Sequence, residues 1–170
     1  NIFCADPTAV EYEGRLYIYG TNDHQQYEAV GVEGKNTYEH IKSLVVLSTD
    51  DMVNYTYHGT IDIAEICPWA LASWAPSITS RVEEDGLTHF YLYFSNSGCG
   101  TGVITSTSPT GPWSDPLGKS LIDGSTPGLN GCSSPFDPGV CIDDNGTGWL
   151  AFGSGDGGSR IVKLGADMVS

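Results

Sequence analysis

Three segments of the sequence repeat one β-hairpin pattern, and this repeat constrains the fold more than any other feature. The segments run over residues 6–20, 75–95 and 137–153. Each begins beside a proline with an apolar strand, passes through a turn that contains Glu-Gly, Asp-Gly or Asn-Gly, and returns as an aromatic strand. Such a repeat indicates an architecture built from copies of one antiparallel unit.

Further strands are predicted after each hairpin. A third strand follows all three hairpins, and a fourth follows the first two, around residues 55–59 and near Trp113. Units of roughly 60 to 70 residues with four antiparallel strands are typical of β-propeller blades. We therefore predict an all-β propeller with blade I at about 1–60, blade II at about 74–116 and a truncated blade III from about 136.

The third unit stops at Ser170, before its fourth strand. About two and a half blades cannot close a ring, and an open array would leave apolar blade faces in water. We therefore expect the chain to be the N-terminal portion of one propeller domain. The remaining C-terminal part of the propeller is its expected partner.

The composition supports this prediction and excludes other classes. The chain has 22 Gly and 9 Pro, and only 16% of its residues are charged, which suits short strands and tight turns. No segment approaches the roughly 20 apolar residues of a membrane span, so we expect no membrane association. The net charge of −14 argues against nucleic acid as a partner, because lysine and arginine neutralise phosphates.

The five cysteines show no CxxC or Cys/His spacing of the kind that binds metals. Their odd number leaves at least one without an intrachain partner, and we interpret them as buried free thiols. They are Cys4, Cys67, Cys99, Cys132 and Cys141. The first residue, Asn1, resembles a processed or trimmed end, and we expect a secreted or periplasmic protein.

The propeller topology sorts the acidic residues between two ends of the molecule. Asp6 and Asp137 begin the innermost strands of blades I and III, where side chains meet at the axis. The loops after the second strands, at 21–43, 95–102 and 154–159, are predicted at the same end, and functional groups concentrate in such loops. The pair Asp143–Asp144 belongs to a hairpin at the opposite end and is predicted to shape a turn.

Motifs in all three repeats resemble glycoside hydrolase family 43. The motifs are Ala5-Asp6-Pro7 with residues 17–21, Trp74-Ala75-Pro76-Ser77-Ile78, and Phe136-Asp137-Pro138-Gly139-Val140. Each is weak alone, but together they cover essentially the whole chain in the right order. The resemblance implies a five-bladed propeller of inverting enzymes that act on arabinan, arabinoxylan or xylo-oligosaccharides.

The resemblance also implies roles for two aspartates. Asp6 matches the general base, and Asp137 matches the residue that orients the general acid and tunes its pKa. The acid itself is implied to be a glutamate of the following blade, beyond Ser170. An inverting enzyme holds base and acid about 6.5–9.5 Å apart so that water fits between base and sugar. No cofactor is expected to be required, and a structural calcium ion in the propeller channel stays open.

Six further residues are candidates for binding substrate. Trp74 could stack on a sugar ring or belong to the core, and His24 could bind a hydroxyl or simply lie at the surface. The remaining candidates are Asn22, Asn96, Ser134 and Phe136. Three functions stay open: the pentosidase, a related propeller glycosidase of fructans or galactans, and a non-catalytic propeller that binds carbohydrate.

Overall fold

The chain forms three antiparallel sheets in a computed structural model that describes residues 2–129, 132–153 and 158–170. The first sheet contains β1 (Ala5–Tyr12), β2 (Arg15–Thr21), β3 (Ser43–Thr49) and β4 (Thr56–Asp62). The second contains β5 (Trp74–Val82), β6 (Thr88–Ser95), β7 (Gly100–Ser106) and β8 (Ile122–Asp123). The third contains β9 (Gly139–Ile142), β10 (Gly148–Phe152) and β11 (Arg160–Lys163). Two short helices, α1 (His24–Val30) and α2 (Ile63–Ile66), connect strands.

Each sheet is a meander in which consecutive strands are neighbours, as the repeat predicted. The hairpin turns lie where Gly14, Gly86 and Gly146 were expected, each with a φ of 78° that favours glycine. Asp143 accepts backbone hydrogen bonds from Asn145 and Thr147, both at 2.9 Å, so its predicted turn role is confirmed.

The middle sheet is buried on both faces, and β6 shows how. Phe90, Leu92 and Phe94 point into a core shared with the first sheet. Tyr91 and Tyr93 alternate with them and point into a core shared with the third sheet. This explains the continuous aromatic run of β6, since a strand covered on one face only would alternate with polar residues. Each fully buried side chain of this size contributes about 1.5–3 kcal/mol.

Neighbouring sheets are joined near their innermost strands by hydrogen bonds from backbone N–H groups of one sheet to serine or threonine hydroxyls of the sheet before it. We call these bonds the hydroxyl links. The Ile78 N–H donates to Thr8 Oγ1 at 3.2 Å, and the Ala75 N–H donates to Thr21 Oγ1 at 2.9 Å. The same two bonds recur one sheet further on. Here Val140 donates to Ser77 at 3.0 Å, and Asp137 donates to Ser95 at 2.9 Å. The links therefore fix each innermost strand against the next.

Three expectations about elements need correction or limits. The prediction of a fourth strand near Trp113 is wrong. Ser114 forms only an isolated bridge with Thr105, and the fourth strand of the second sheet is β8. Pro112 has no N–H to donate, and Gly111 has a φ of 91°, so this segment does not extend a ladder. The 21–43 loop contains α1, which was not predicted. Residues 154–157 of the third loop lie outside the described residues.

The cysteines are all free, but their burial differs from the prediction. Cys67 and Cys132 are buried as expected, whereas Cys4 is half-buried. The interpretation is wrong for Cys99 and Cys141, which are exposed. Cys99 lies in the loop between β6 and β7, and Cys141 lies on a face of the third sheet that no described sheet covers.

Within the described ranges, no helix has the length and apolar character needed to cross a bilayer.

Candidate active site

Three equivalent residues begin the innermost strands with an unusual backbone conformation. Asp6, Ala75 and Asp137 each precede a proline and have positive φ angles of 48°, 26° and 52°. In the first two sheets the pairing register also shifts here, as in a β-bulge. Bulges and positive φ angles in non-glycine residues concentrate at functional sites, where they redirect a side chain. Ala75, rather than Trp74, is thus the counterpart of the two aspartates.

The two aspartates meet at one cavity of about 270 Å³, which we call the aspartate cavity. Asp6 and Asp137 both line it, together with Trp74 and Phe136. All four were predicted as site residues from the sequence. Because the middle sheet has Ala75 at the equivalent position, the wall between the two carboxylates is small and apolar there.

Asp137 is held in the cavity by Ser95. The backbone N–H of Asp137 donates to Ser95 Oγ at 2.9 Å, and that hydroxyl lies 3.4 Å from Asp137 Oδ1. Ser95 is completely buried at the end of β6. Burial raises the pKa of the Asp137 carboxyl and the negative charge of Asp6 adds to this, while Ser95 opposes the shift.

Two aromatic rings form a wall of the cavity. The indole N–H of Trp74 donates to the backbone carbonyl of Tyr38 at 2.9 Å. The two rings meet edge to face, with centroids 5.9 Å apart. Tyr38 was not predicted, because it lies in the long loop between β2 and β3, where no periodicity marks a position. An aromatic wall beside carboxylates has the chemistry that sugar rings favour.

Asp23 is a third carboxylate of the cavity that sequence reasoning missed. It lies between β2 and α1, and burial together with the charge of Asp6 raises its pKa. The sequence contained a signal, since the segment Asn22-Asp23-His24 was expected at this end. Its neighbours Asn22 and His24 were the predicted residues of this segment, and the carboxylate between them was not.

Four predicted residues lie outside the aspartate cavity. His24 stacks on Phe3 with ring centroids 5.2 Å apart and lines a different cavity together with Asn22. Asn96 is buried, and its side chain accepts a hydrogen bond from the Leu71 N–H at 2.6 Å, which orders the segment before β5.

Ser134 also lies outside the aspartate cavity as far as the described residues show. It is half-buried, and its backbone carbonyl accepts a hydrogen bond from the Phe136 N–H at 3.0 Å.

The described residues contain no group of three or more His, Cys, Asp or Glu side chains placed to hold a metal ion. Calcium prefers six to eight oxygen ligands. A structural calcium ion in the propeller channel stays a prediction. No glutamate of the described chain lines the aspartate cavity.

Comparison with known proteins decides the family. A sequence model described as glycosyl hydrolases family 43 matches residues 1–169. The chain belongs to this family. It is 43% identical over 189 aligned residues to an arabinoxylan arabinofuranohydrolase of Bacillus subtilis, an alignment that covers 98% of this chain and 37% of that protein.

Solved structures of the family agree with the fold. A family 43 arabinoxylan arabinofuranohydrolase from Bacillus subtilis, in complex with cellotetraose, superposes with a TM-score of 0.90 and 40% identity over 99% of this chain. An α-L-arabinofuranosidase from Clostridium thermocellum gives 0.80 and 43% over 98%. The chain spans 39% and 53% of these two structures. Its sheets correspond to part of a five-bladed propeller.

Proposed function

We propose that this chain belongs to the catalytic domain of an inverting glycoside hydrolase that releases arabinofuranosyl or xylosyl units. Its substrates would be arabinoxylan, arabinan or xylo-oligosaccharides. The observation that carries the proposal is the convergence of Asp6 and Asp137 on one cavity from equivalent positions of two sheets. The family membership and the arabinofuranose-releasing relatives support the pentose substrate.

Asp6 acts as the general base in this proposal. Its carboxylate takes a proton from a water molecule, which then attacks the anomeric carbon from the face opposite the leaving group. The sugar ring lies against Trp74 and Tyr38, whose apolar surfaces exclude water from the other side. Water has room to enter between base and sugar because the neighbouring position carries the small Ala75.

Asp137 acts through the general acid. An ionised carboxylate beside a carboxylic acid disfavours ionisation of that acid, so the acid keeps its proton near neutral pH. We propose that the acid is a glutamate contributed by the following blade, beyond residue 170. The absence of a glutamate among the described lining residues is consistent with this, and residues 1–170 alone are then expected to be inactive.

The environment of the enzyme follows from its substrate. A plant polysaccharide is too large to enter a cell, so we propose a secreted or periplasmic enzyme that requires no cofactor. Neutral sugars suit a chain with a net charge of −14, which does not attract nucleic acid. The rest of the propeller is proposed to be a C-terminal segment that packs on the third sheet.

Hydrolysis by the complete enzyme tests the proposal. We expect turnover of aryl α-L-arabinofuranoside or aryl β-D-xyloside, with NMR showing an inverted anomeric centre in the first product. Activity on aryl galactosides or on fructans alone would instead assign a related propeller glycosidase. Binding of arabinoxylan without any turnover would identify a non-catalytic binding propeller.

A further inference from the structure

Asp23 lies between two cavities at the end of the molecule that carries the aspartate cavity. It lines the aspartate cavity with Asp6 and also lines an adjoining cavity of about 320 Å³. Rings of Phe3 and Tyr27 form part of the second cavity and stack on each other with centroids 6.1 Å apart. A group at this position faces whatever enters the aspartate cavity.

The carboxylate of Asp23 has no structural task in the described part of the chain. Asp23 stands at the N-cap of α1, yet its side chain makes no capping hydrogen bond. The nearest imidazole on the helix, that of His24, pairs with Glu28 at 3.6 Å instead. No hydrogen-bond donor from a described residue reaches the Asp23 side chain.

Other aspartates show what a structural role looks like in this chain. Asp51 accepts hydrogen bonds from the backbone of Val53 and Asn54, and these bonds lower the pKa of its carboxyl. Asp115 accepts bonds from Trp69 and neighbouring backbone groups, and its pKa is also lowered. Asp23 lacks such donors, and it is half-buried beside a like charge. A polar group in that situation destabilises the fold unless a partner arrives.

We infer that Asp23 is a specificity-determining residue whose carboxylate accepts a hydrogen bond from a hydroxyl of the sugar ring bound in the aspartate cavity. The inference rests on the proposed function, because it assigns a ligand group to the same site. A sugar hydroxyl is a neutral donor, so it can approach Asp6 and Asp23 together without a charge penalty. An anionic ligand would be repelled by both carboxylates.

The test combines variants of the complete enzyme with deoxy substrates. Asp23→Ala removes the acceptor, and Asp23→Asn keeps one oxygen without the charge. A hydrogen bond to a charged group corresponds to a loss of about 10- to 100-fold in kcat/KM when it is removed. We expect wild type to lose this factor on one monodeoxy aryl glycoside. Asp23→Ala should lose the same factor in kcat/KM on the full sugar. It should show no further loss when the deoxy sugar replaces the full sugar.

Glu28→Gln is the matched control, because Glu28 is an exposed carboxylate on the same helix and does not line the aspartate cavity. It should behave like wild type on every substrate. Asp23→Asn should retain part of the activity of wild type. The thermal midpoint of Asp23→Ala should not fall, since no protein hydrogen bond is lost, and this separates binding from folding.

The outcomes separate this inference from the proposed function. Suppose that wild type hydrolyses the substrates. If Asp23→Ala then has the same kcat/KM as wild type, or if the losses from the variant and from the deoxy sugar add, the role of Asp23 is overturned and the proposed function stands. If wild type hydrolyses nothing, calorimetry with arabinose and xylo-oligosaccharides measures binding directly. Weaker binding by Asp23→Ala would then support the inference although hydrolysis fails. Equal binding, or no binding by wild type, would overturn it.

Discussion

At the scale of single residues, the ionised carboxylate of Asp137 destabilises the fold that positions it. Folding raises the pKa of this carboxyl through burial and the nearby charge of Asp6, so the folded protein holds the proton more tightly than the unfolded chain. The resulting loss of stability is absent at a pH below the unfolded pKa. It is fully present once the pH exceeds the raised folded pKa.

Asp137→Asn should therefore stabilise the complete enzyme while it impairs activity. We expect the thermal midpoint at pH 7 to rise by about 1–3 °C, a small effect because Asp137 is exposed and solvent screens its charge. The gain should shrink as the pH falls through the raised pKa, and calorimetry at pH 4 and pH 7 measures this.

Asp143→Asn is the control of opposite sign for this prediction. Hydrogen bonds from Trp149 and Thr147 lower the pKa of Asp143, so its charge stabilises the fold at pH 7 and that variant should melt earlier. An unchanged or lower midpoint for Asp137→Asn at pH 7 would contradict the assigned environment of the Asp137 carboxylate.

The kinetics of two variants should separate the proposed roles. Asp6→Asn removes the group that activates water, and no better leaving group bypasses that step. We expect losses of about 10²- to 10⁴-fold in kcat on every substrate. Asp137→Ala should lower the pKa of the acid, so its defect should be large on natural arabinosides and smaller on activated aryl glycosides. Equal defects on both substrate types with an unchanged pH–rate profile would mean that Asp137 only binds sugar.

The sequence predicted four cavity residues within the repeated motifs and missed the two functional side chains that lie in a loop. Asp6 and Asp137 could be found because each opens a strand next to proline, at positions that the repeat makes equivalent. Asp23 and Tyr38 lie in the segment between β2 and β3, which has no counterpart of similar length in the other repeats. Their place depends on how that segment folds over the sheet, and no local pattern encodes it.

At the scale of elements, the hairpins and the strands β3, β4, β7 and β11 that follow them were predictable, whereas β8 was not. Turns with glycine and strands with aromatic runs locate β1, β2, β5, β6, β9 and β10. The two-residue strand β8 is too short to show a period, whereas the prominent Trp113 predicts a strand in the wrong place. The burial of β6 on both faces depends on neighbours far away in sequence, although its unbroken apolar run is typical of such a strand.

The hydroxyl links should contribute measurably to stability. Thr8→Val keeps the shape of the side chain but leaves the Ile78 N–H, in a buried part of β5, without its acceptor. We expect the complete enzyme to lose about 1–2 kcal/mol of unfolding free energy, measured by urea titration of the propeller transition. Thr60→Val is the matched control, since Thr60 is exposed on β4 and should change stability little. Equal changes in unfolding free energy for both variants would contradict a stabilising role of the link.

At the scale of the whole molecule, the third sheet has one covered face and one open face among the described residues. Leu150 and Phe152 pack into the core with the second sheet. On the other face, Cys141 and Trp149 are directly paired, and Ile161 is 71% exposed. Faces of this kind in a propeller pack on the next blade.

Thiol labelling measures whether the proposed C-terminal part covers this face. In isolated residues 1–170 we expect Cys99 and Cys141 to react quickly with a chromogenic disulfide. Cys67 should react slowly, because burial raises its pKa to about 12 and the thiolate is the nucleophile. In the complete enzyme Cys141 should become protected while Cys99, in a loop, stays reactive. Equal reactivity of Cys141 in both proteins would show that no segment packs there.

The hydroxyl links also bear on how such a domain could have diversified. Each link needs only a serine or threonine at two positions of one unit and backbone N–H groups of the next, which any residue except proline supplies. The first two units meet this condition, whereas the third carries Gly139 and Gly153 at the corresponding positions. Duplication or exchange of the first two units would therefore preserve the joint, while the long segments that carry Asp23 and Tyr38 could vary without disturbing it. In such a scaffold, recombination of units and change of ligand preference are separate evolutionary events.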